Sequence, residues 1–356
     1  NLHYSIKANV FYKYIMIGII TGATGQDGSY LIELLLDKGY EVRCAVRRST
    51  YSMKYSNISH LTERVQLYDC DLTDQSSLFR LFEGDGPFEV YNLAAQSQVG
   101  TSFNCPQTTL EINTIGTLNL LECIRQLGIQ DRCKFYQAST SEMFGKVQEV
   151  PQTENTPFYP RSPYGVSKLA AHWLVKNYRE TYGIFACSGI LFNHESPRRG
   201  EYFVTQKIVK GIKDVVDGKI AVLEIGNPDA TRDWGHAKDY VKAMWLMLQQ
   251  NKPDDYVVAT GVEHSIKDLA NIVAKQHDIE LEWDNDGAVG SAASDWNGKR
   301  ILKISPRFFR PCEVDQLLGD SSKIRSIGWE PEFTFETLIE DMVKSNSEVS
   351  HRKGTE

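Results

Sequence analysis

Thr140, Ser141 and Glu142, followed by Tyr164 and Lys168, are the residues of this chain whose types and spacing could do chemistry. A Tyr and a Lys four residues apart in a helical segment share one face. An ammonium beside a phenol favours the phenolate, because a nearby positive charge stabilises the charged form. Such a phenolate can take the proton of an alcohol while a hydride leaves the carbon. Glu142 adds something simple alcohol oxidation does not need, a base for a carbon acid. Together Thr140, Glu142, Tyr164 and Lys168 suggest oxidation followed by elimination. A Tyr-x-x-x-Lys pair alone is common, so its meaning rests on the elements that position it.

Those elements start near the N-terminus. Residues 15–21 (IMIGIIT) are a short, β-branched apolar run, read as a buried strand. The turn 22–28 (GATGQDG) follows, then a helical pattern over 29–38 with Gly39 as a stop. Strand, glycine turn and helix make a dinucleotide-binding unit, with the pyrophosphate at the helix N-terminus. Gly22, Thr24, Gly25, Gln26, Asp27 and Gly28 are the candidate contacts. The second strand, 41–46, ends before Arg47-Arg48-Ser49, where NAD binders carry an acidic residue for the ribose 2′-hydroxyl. Two guanidiniums suit a 2′-phosphate instead, so NADP is expected rather than NAD.

The rest of the first half agrees. A third strand over 64–68 leads to Asp71, an acceptor for the adenine amine, and Leu72, which can pack on the ring. A fourth over 88–93 ends in Leu93-Ala94-Ala95-Gln96-Ser97, small residues that let a cofactor lie close. A long amphipathic helix is expected over 109–127. A fifth strand over 134–138 delivers 139–142 at its carboxyl end, where ligands bind in open α/β sheets. The expected fold is α/β, a Rossmann-type doubly wound parallel sheet over 16–192 with part of 232–258 packing back onto it. A smaller, mixed C-terminal lobe over 193–345 is expected to bind substrate.

The 356 residues can bury a full core, and 41% hydrophobic with 24% charged residues is ordinary for a globular chain. A net charge of −7 argues against a nucleic-acid surface. Seven scattered cysteines, an odd count without a C-x-x-C pair, read as reduced cytoplasmic thiols. Eight histidines show no metal spacing, and no apolar run is long enough to span a membrane. Residues 1–15 precede Met16, read as the functional start. The stretch 284–298 is expected to be a small-residue loop, and the tail after Ser345 to be frayed.

From residue 19 to about 329 the chain resembles the extended short-chain dehydrogenase/reductases, and within them the GDP-mannose 4,6-dehydratases. The glycine turn, Tyr164 and Lys168 mark the superfamily. Three longer strings mark the narrower group: LFNHESPRRG at 191–200, RDWGHAKDY at 232–240 and FRPCEVD at 309–315. The resemblance implies cofactor contacts also at Leu191, Asn193, His194 and Arg199, and nucleotide-sugar contacts at Asn193, Lys207, Asn227, Arg232, Arg310 and Glu313. Arg198 and Arg199 suit a structural loop role equally.

The implied reaction converts GDP-mannose to GDP-4-keto-6-deoxy-mannose and water. Tyr164 takes the proton of the 4-hydroxyl, with Thr140 bonded to that oxygen. Glu142 takes the C5 proton and protonates the departing C6 hydroxyl. The hydride returns at C6 and C5 is reprotonated, so no net redox occurs. Related dTDP-glucose dehydratases pair Asp with Glu, whereas Ser141-Glu142 leaves one carboxylate to act as base and then acid. A homodimer or homotetramer is implied, with the Arg47-Arg48 loop near a neighbour's cofactor in the tetramer.

Other readings stay open here. A 4-epimerase would use Tyr164 and Lys168 but has no need of Glu142. Free cofactor exchange would allow NADPH to reduce the 4-ketone. A non-catalytic NADP-binding regulator would usually lose Tyr, Lys or the acid, and all are present. Gln98 and Cys312 depart from the group's usual residues without removing a group the mechanism uses.

Overall fold

The computed structural model describes residues 15–48, 56–284, 292–309, 314 and 316–353, with side chains to 347. In chain order the first six strands are β1 (Ile17–Thr21), β2 (Glu41–Val46), β3 (Gln66–Asp69), β4 (Phe88–Asn92), β5 (Cys133–Thr140) and β6 (Phe185–Leu191). Then come β7 (Asn193–Glu195), β8 (Leu223–Ile225), β9 (Thr231–His236), β10 (Asp255–Val258) and β11 (Glu263–Ser265). Last are β12 (Glu282–Trp283), β13 (Ala292–Ser294) and β14 (Arg300–Ile304).

Strands buried on both faces read as unbroken apolar runs and sit inside parallel sheets. β1 and β4 are buried throughout and lie side by side at the centre. The main sheet runs β10-β6-β5-β4-β1-β2-β3 with every pairing parallel. The winding reverses between β1 and β4, and such a switch opens a crevice at the carboxyl ends.

Both faces are covered, which makes the sheet doubly wound. On one, Leu31 and Leu35 of the helix Gln26–Asp37 and Val241 and Met244 of the helix Ala237–Leu248 pack with Ile20, Tyr91 and Tyr136. On the other, Leu120 and Ile124 of the helix Gly116–Gln126 and Val175 of the helix Pro163–Tyr182 pack with Ile19, Val90 and Phe135. Each such buried side chain contributes roughly 1.5–3 kcal/mol. The mixed part holds two small sheets, β11-β9-β7 and β12-β13-β14-β8. Its own core joins Ile208 and Ile212, Leu269 and Val273, and Leu338 and Met342 around Trp234.

Local details differ from the sequence reading. The third strand starts at Gln66 rather than 64, and the first helix starts at Gln26 rather than 29. The helix expected over 109–127 is three pieces, Pro106–Leu110, a π-turn Glu111–Ile115 and Gly116–Gln126. The wide turn lets Asn113 accept from the Gln96 amide at 2.9 Å and donate to Ser167 Oγ at 2.9 Å, a common use of such turns. Within 284–298, Ala292–Ser294 is a strand paired with β14 across a bulge, not loop. Residues 285–291 lie outside the described residues. Among the described residues, no helix is long and apolar enough to cross a membrane and no cluster of His, Cys, Asp and Glu could hold a metal ion.

Candidate active site

The first part of the site is a backbone cradle. Gly22 has φ +67°, and the Gly25 amide donates to its carbonyl at 2.9 Å. A Cβ on Gly28 would stand 2.4 Å from that same carbonyl, so the turn closes only with glycine there. The helix Gln26–Asp37 therefore opens at Gly25 with no side-chain cap. An uncapped N-terminus offers free amides and a partial positive charge to a phosphate.

A cavity of about 650 Å³ lies before it. Gly22, Thr24, Gly25, Gln26, Asp27 and Gly28 line one side, and Leu93, Ala94, Ala95 and Ser97 another. Arg47, Asp71 and Leu72 line it as well. Arg48 is exposed and outside that lining, and Ser49 lies outside the described residues. Thr21 fixes the shelf, since its Oγ1 accepts from the Leu93 and Ala94 amides at 3.1 Å each and donates to Asn92 at 2.7 Å. Bare helix amides and a Leu slot fit a dinucleotide.

The second part lies at the carboxyl end of β5. That strand runs through Thr140 and breaks into a 3₁₀ turn, Ser141–Met143, which presents Glu142. Thr140 Oγ1 accepts from the Glu142 amide at 3.2 Å. Ser162 caps the helix Pro163–Tyr182 by accepting from the Gly165 amide at 3.0 Å, Pro163 enters it, and Gly183 ends it. A Cβ on Gly165 would stand 2.8 Å from the Glu142 carbonyl, so a glycine lets turn and helix touch. Tyr164 and Lys168 are both buried on one face. Thr140, Ser141, Glu142, Tyr164 and Lys168 all line one cavity of about 890 Å³.

Its electrostatics differ from the simple expectation. Burial pushes the Tyr164 phenol up to about 12, against a hydrogen bond with Thr140. Burial lowers Lys168 to about 8, while Asp27 opposes that shift. The Lys168 ammonium donates to the Ala138 carbonyl at 2.8 Å. Burial thus favours the neutral phenol, and the hydrogen bond that favours its phenolate comes from Thr140.

Leu191, Asn193, His194, Lys207, Asn227 and Arg232 line the same cavity. Lys207 Nζ lies 3.1 Å from the Phe308 ring centre, and burial lowers its pKa to about 8. Arg232 is buried on β9. Arg199 lines both cavities, pairs with Glu195 at 3.0 Å and lies 3.6 Å over Phe203. Arg198 instead pairs with Glu33 and stacks on Tyr30, a structural post. Arg310 and Glu313 lie outside the described residues.

Sequence reasoning missed several lining residues, among them Phe103, Tyr202, Phe203, Trp234 and Phe308. Phe308 and Phe309, an apolar pair between arginines, were the legible signal for one of them. Asp27 borders both cavities and meets His194, 167 positions away, a pairing that no local pattern could reveal.

The fold and this site define the class: an extended short-chain dehydrogenase/reductase. A UDP-glucose 4-epimerase structure from Thermus thermophilus superposes with a TM-score of 0.77 at 26% identity, covering 93% of this chain and 99% of that one. The family model described as GDP-mannose 4,6 dehydratase matches residues 19–342. GDP-mannose 4,6-dehydratase of Vibrio cholerae is 50% identical over 93% of this chain and 94% of its own length. The Drosophila melanogaster protein is 47% identical (94% and 87%), the human one 46% (94% and 92%). The chain belongs to the GDP-mannose 4,6-dehydratase family.

Proposed function

We propose that the chain converts GDP-mannose to GDP-4-keto-6-deoxy-mannose and water, with NADP as a retained cofactor. The observation that carries this reading is Glu142 in one cavity with Thr140, Tyr164 and Lys168. Oxidation alone needs no such carboxylate, whereas elimination next to a new ketone does. Arg47 in the cavity lining supports NADP over NAD; the Thermus relative's NAD supports a nicotinamide dinucleotide of either kind.

A bound nicotinamide supplies the acceptor, and later the donor, of a hydride. The chain supplies everything else. The glycine turn and helix amides hold the pyrophosphate, Asp71 and Leu72 the adenine, and Arg47 the 2′-phosphate. Leu93, Ala94, Ala95, Ser97, Leu191, His194 and Arg199 complete that wall. Tyr164, turned to phenolate by Lys168 and the positive charge a bound nicotinamide would bring, accepts the proton of the sugar 4-hydroxyl while Thr140 orients the oxygen, and Lys168 also anchors the ribose. The 4-ketone acidifies C5, Glu142 takes that proton, and the same carboxyl group hands it to the departing C6 hydroxyl. Once hydride has been added at C6, C5 is reprotonated, which balances the proton that Tyr164 removed. Asn193, Lys207, Asn227 and Arg232 hold the nucleotide sugar, with Ser141 at the reacting end; Arg310 and Glu313 are proposed to join them.

We also infer a homodimer or homotetramer, supported by Leu110, Ile115, Val166, Trp173 and Tyr182, large apolar side chains exposed on helices flanking one sheet face. We infer a cofactor lobe over 16–192, with part of 232–258 packed back onto it, and a mainly substrate-binding lobe over 193–345. The free cysteines among the described residues support a cytoplasmic setting. Mass spectrometry of the protein incubated with GDP-mannose tests the reaction. A product lighter by one water is expected, and an unchanged mass with NADP⁺ added overturns it.

A further inference from the structure

Asp27 stands in the first turn of the uncapped helix and borders both cavities. His194 Nε2 lies 2.8 Å from Asp27 Oδ2, and His194 Nδ1 lies 2.8 Å from the Phe192 carbonyl. A carbonyl can only accept, and an ionised carboxylate can only accept. Both ring nitrogens must therefore donate, which makes the ring an imidazolium. It is stacked on Tyr240, with centroids 4.5 Å apart, so it cannot turn away freely. Gln26 ties the same corner, donating to the His194 carbonyl at 3.0 Å and accepting from Ser196 Oγ at 2.8 Å.

We propose that Asp27 and His194 form an ionised positioning dyad in the wall between the two cavities, and that its imidazolium is what lets an anionic dinucleotide settle beside the Asp27 carboxylate. The proposal rests on the dinucleotide reading above. A carboxylate in the first turn of a phosphate-binding helix repels the very ligand its amides attract. A cation 2.8 Å away offsets that repulsion while leaving the amides exposed.

The surrounding charges agree. Burial opposes both ions, but each partner's charge prevails, so the Asp27 carboxyl lies below its usual range and the His194 ring above its own. Arg199, from the loop after β7, lowers His194 slightly and is itself paired to Glu195. Lys168, Tyr164, Tyr136 and Tyr240 all feel the Asp27 charge from the helices and strand that pack around it. A histidine raised in the folded protein keeps its contribution at low pH and loses it as pH rises through its folded value. Asp27 loses its part only as pH falls through its own lowered value. The dyad is intact between the two.

The test is nitrogen-edited NMR of the histidines, assigned with His194→Gln, combined with calorimetric binding of NADP⁺ from about pH 6 to 9. His194 should show both ring nitrogens protonated at neutral pH. Wild-type affinity should fall about tenfold more across the alkaline range than that of His194→Gln, since Lys168 titrates in both proteins. His194→Gln should bind about tenfold more weakly at neutral pH, and adding Asp27→Asn should restore affinity to within about threefold. A neutral ring at pH 7, equal slopes, or a double variant weaker than His194→Gln overturns the dyad alone. A wild-type protein that binds neither NADP⁺ nor NAD⁺ overturns the cofactor reading and the dyad together.

Discussion

The ammonium of Lys168 donates to the carbonyl of Ala138 at 2.8 Å, fastening the helix that carries Tyr164 to the strand that ends in Thr140. The two residues connect separate elements across the site, so the lysine positions the phenol as well as carrying charge. Because burial lowers its pKa to about 8, the ammonium is lost as pH rises through that value. Turnover should fall on the alkaline side near pH 8. Lys168→Arg, which stays charged, should shift or remove that limb even if its maximal rate is lower. An unchanged alkaline limb in a folded Lys168→Arg protein would assign the titration to another group.

Tyr164 is expected to remain a neutral phenol until about pH 12 when nothing is bound. Difference absorbance of phenolate, comparing the wild type with Tyr164→Phe, should therefore coincide between about pH 7 and 10. A titration in that range that disappears in the variant would show that burial does not control this phenol. Tyr164→Phe should also lower kcat by about 10²–10⁴-fold, the usual worth of a positioned proton-transfer group.

Glu142→Gln separates the two halves of the reaction. Its amide cannot take the C5 proton, so water loss should slow by about 10²–10⁴-fold while exchange of hydride at C4 continues. Trapping of a 4-keto sugar that retains its oxygen at C6 is the expected result. Loss of C4 chemistry to the same extent would place Glu142 in the first step instead.

Much of this was legible in the chain. The glycine turn, its strand and its helix are contiguous, so local periodicity finds them. Thr140, Glu142, Tyr164 and Lys168 follow from a strand end and an i, i+4 spacing. The π-turn at Glu111–Ile115 was not legible, because the apolar pattern on either side reads as one helix. β13 was hidden because Ala292-Ala293-Ser294 carries none of the branched or aromatic side chains that signal a strand. The strand that carries Arg232 was not legible, because Gly and Pro nearby obscure it and its partners β7 and β11 are distant in sequence.

Arg47 lines the cofactor cavity and Arg48 does not. Arg47→Ala should lower the preference for NADP over NAD by about 10–100-fold, the worth of roughly 1.5–3 kcal/mol for hydrogen bonds to a charged group. Arg48→Ala should change it little. Competitive binding of the two dinucleotides decides the matter, and equal losses in both variants would point to general charge rather than to one contact.

Thr21→Val tests the shelf beneath the cofactor. The Leu93 and Ala94 amides would lose their shared acceptor, and Asn92 a donor, at a cost of about 1–3 kcal/mol. Chemical denaturation should show that loss together with weaker dinucleotide binding. A stability change without any change in binding would separate the shelf from the site.

The edge strand β10 has a consequence for how this protein can be made. It pairs with β6, and the helix Ala237–Leu248 just before it covers Tyr136 and Cys187 on one face of the sheet. A nascent chain halted after Phe192 would present β6 as an open edge beneath an uncovered apolar surface, an invitation to aggregate. The cofactor-binding half is therefore finished only when the ribosome has released residue 258 and beyond. Its glycine turn is made early, yet the sheet around that turn closes only when β10 has followed.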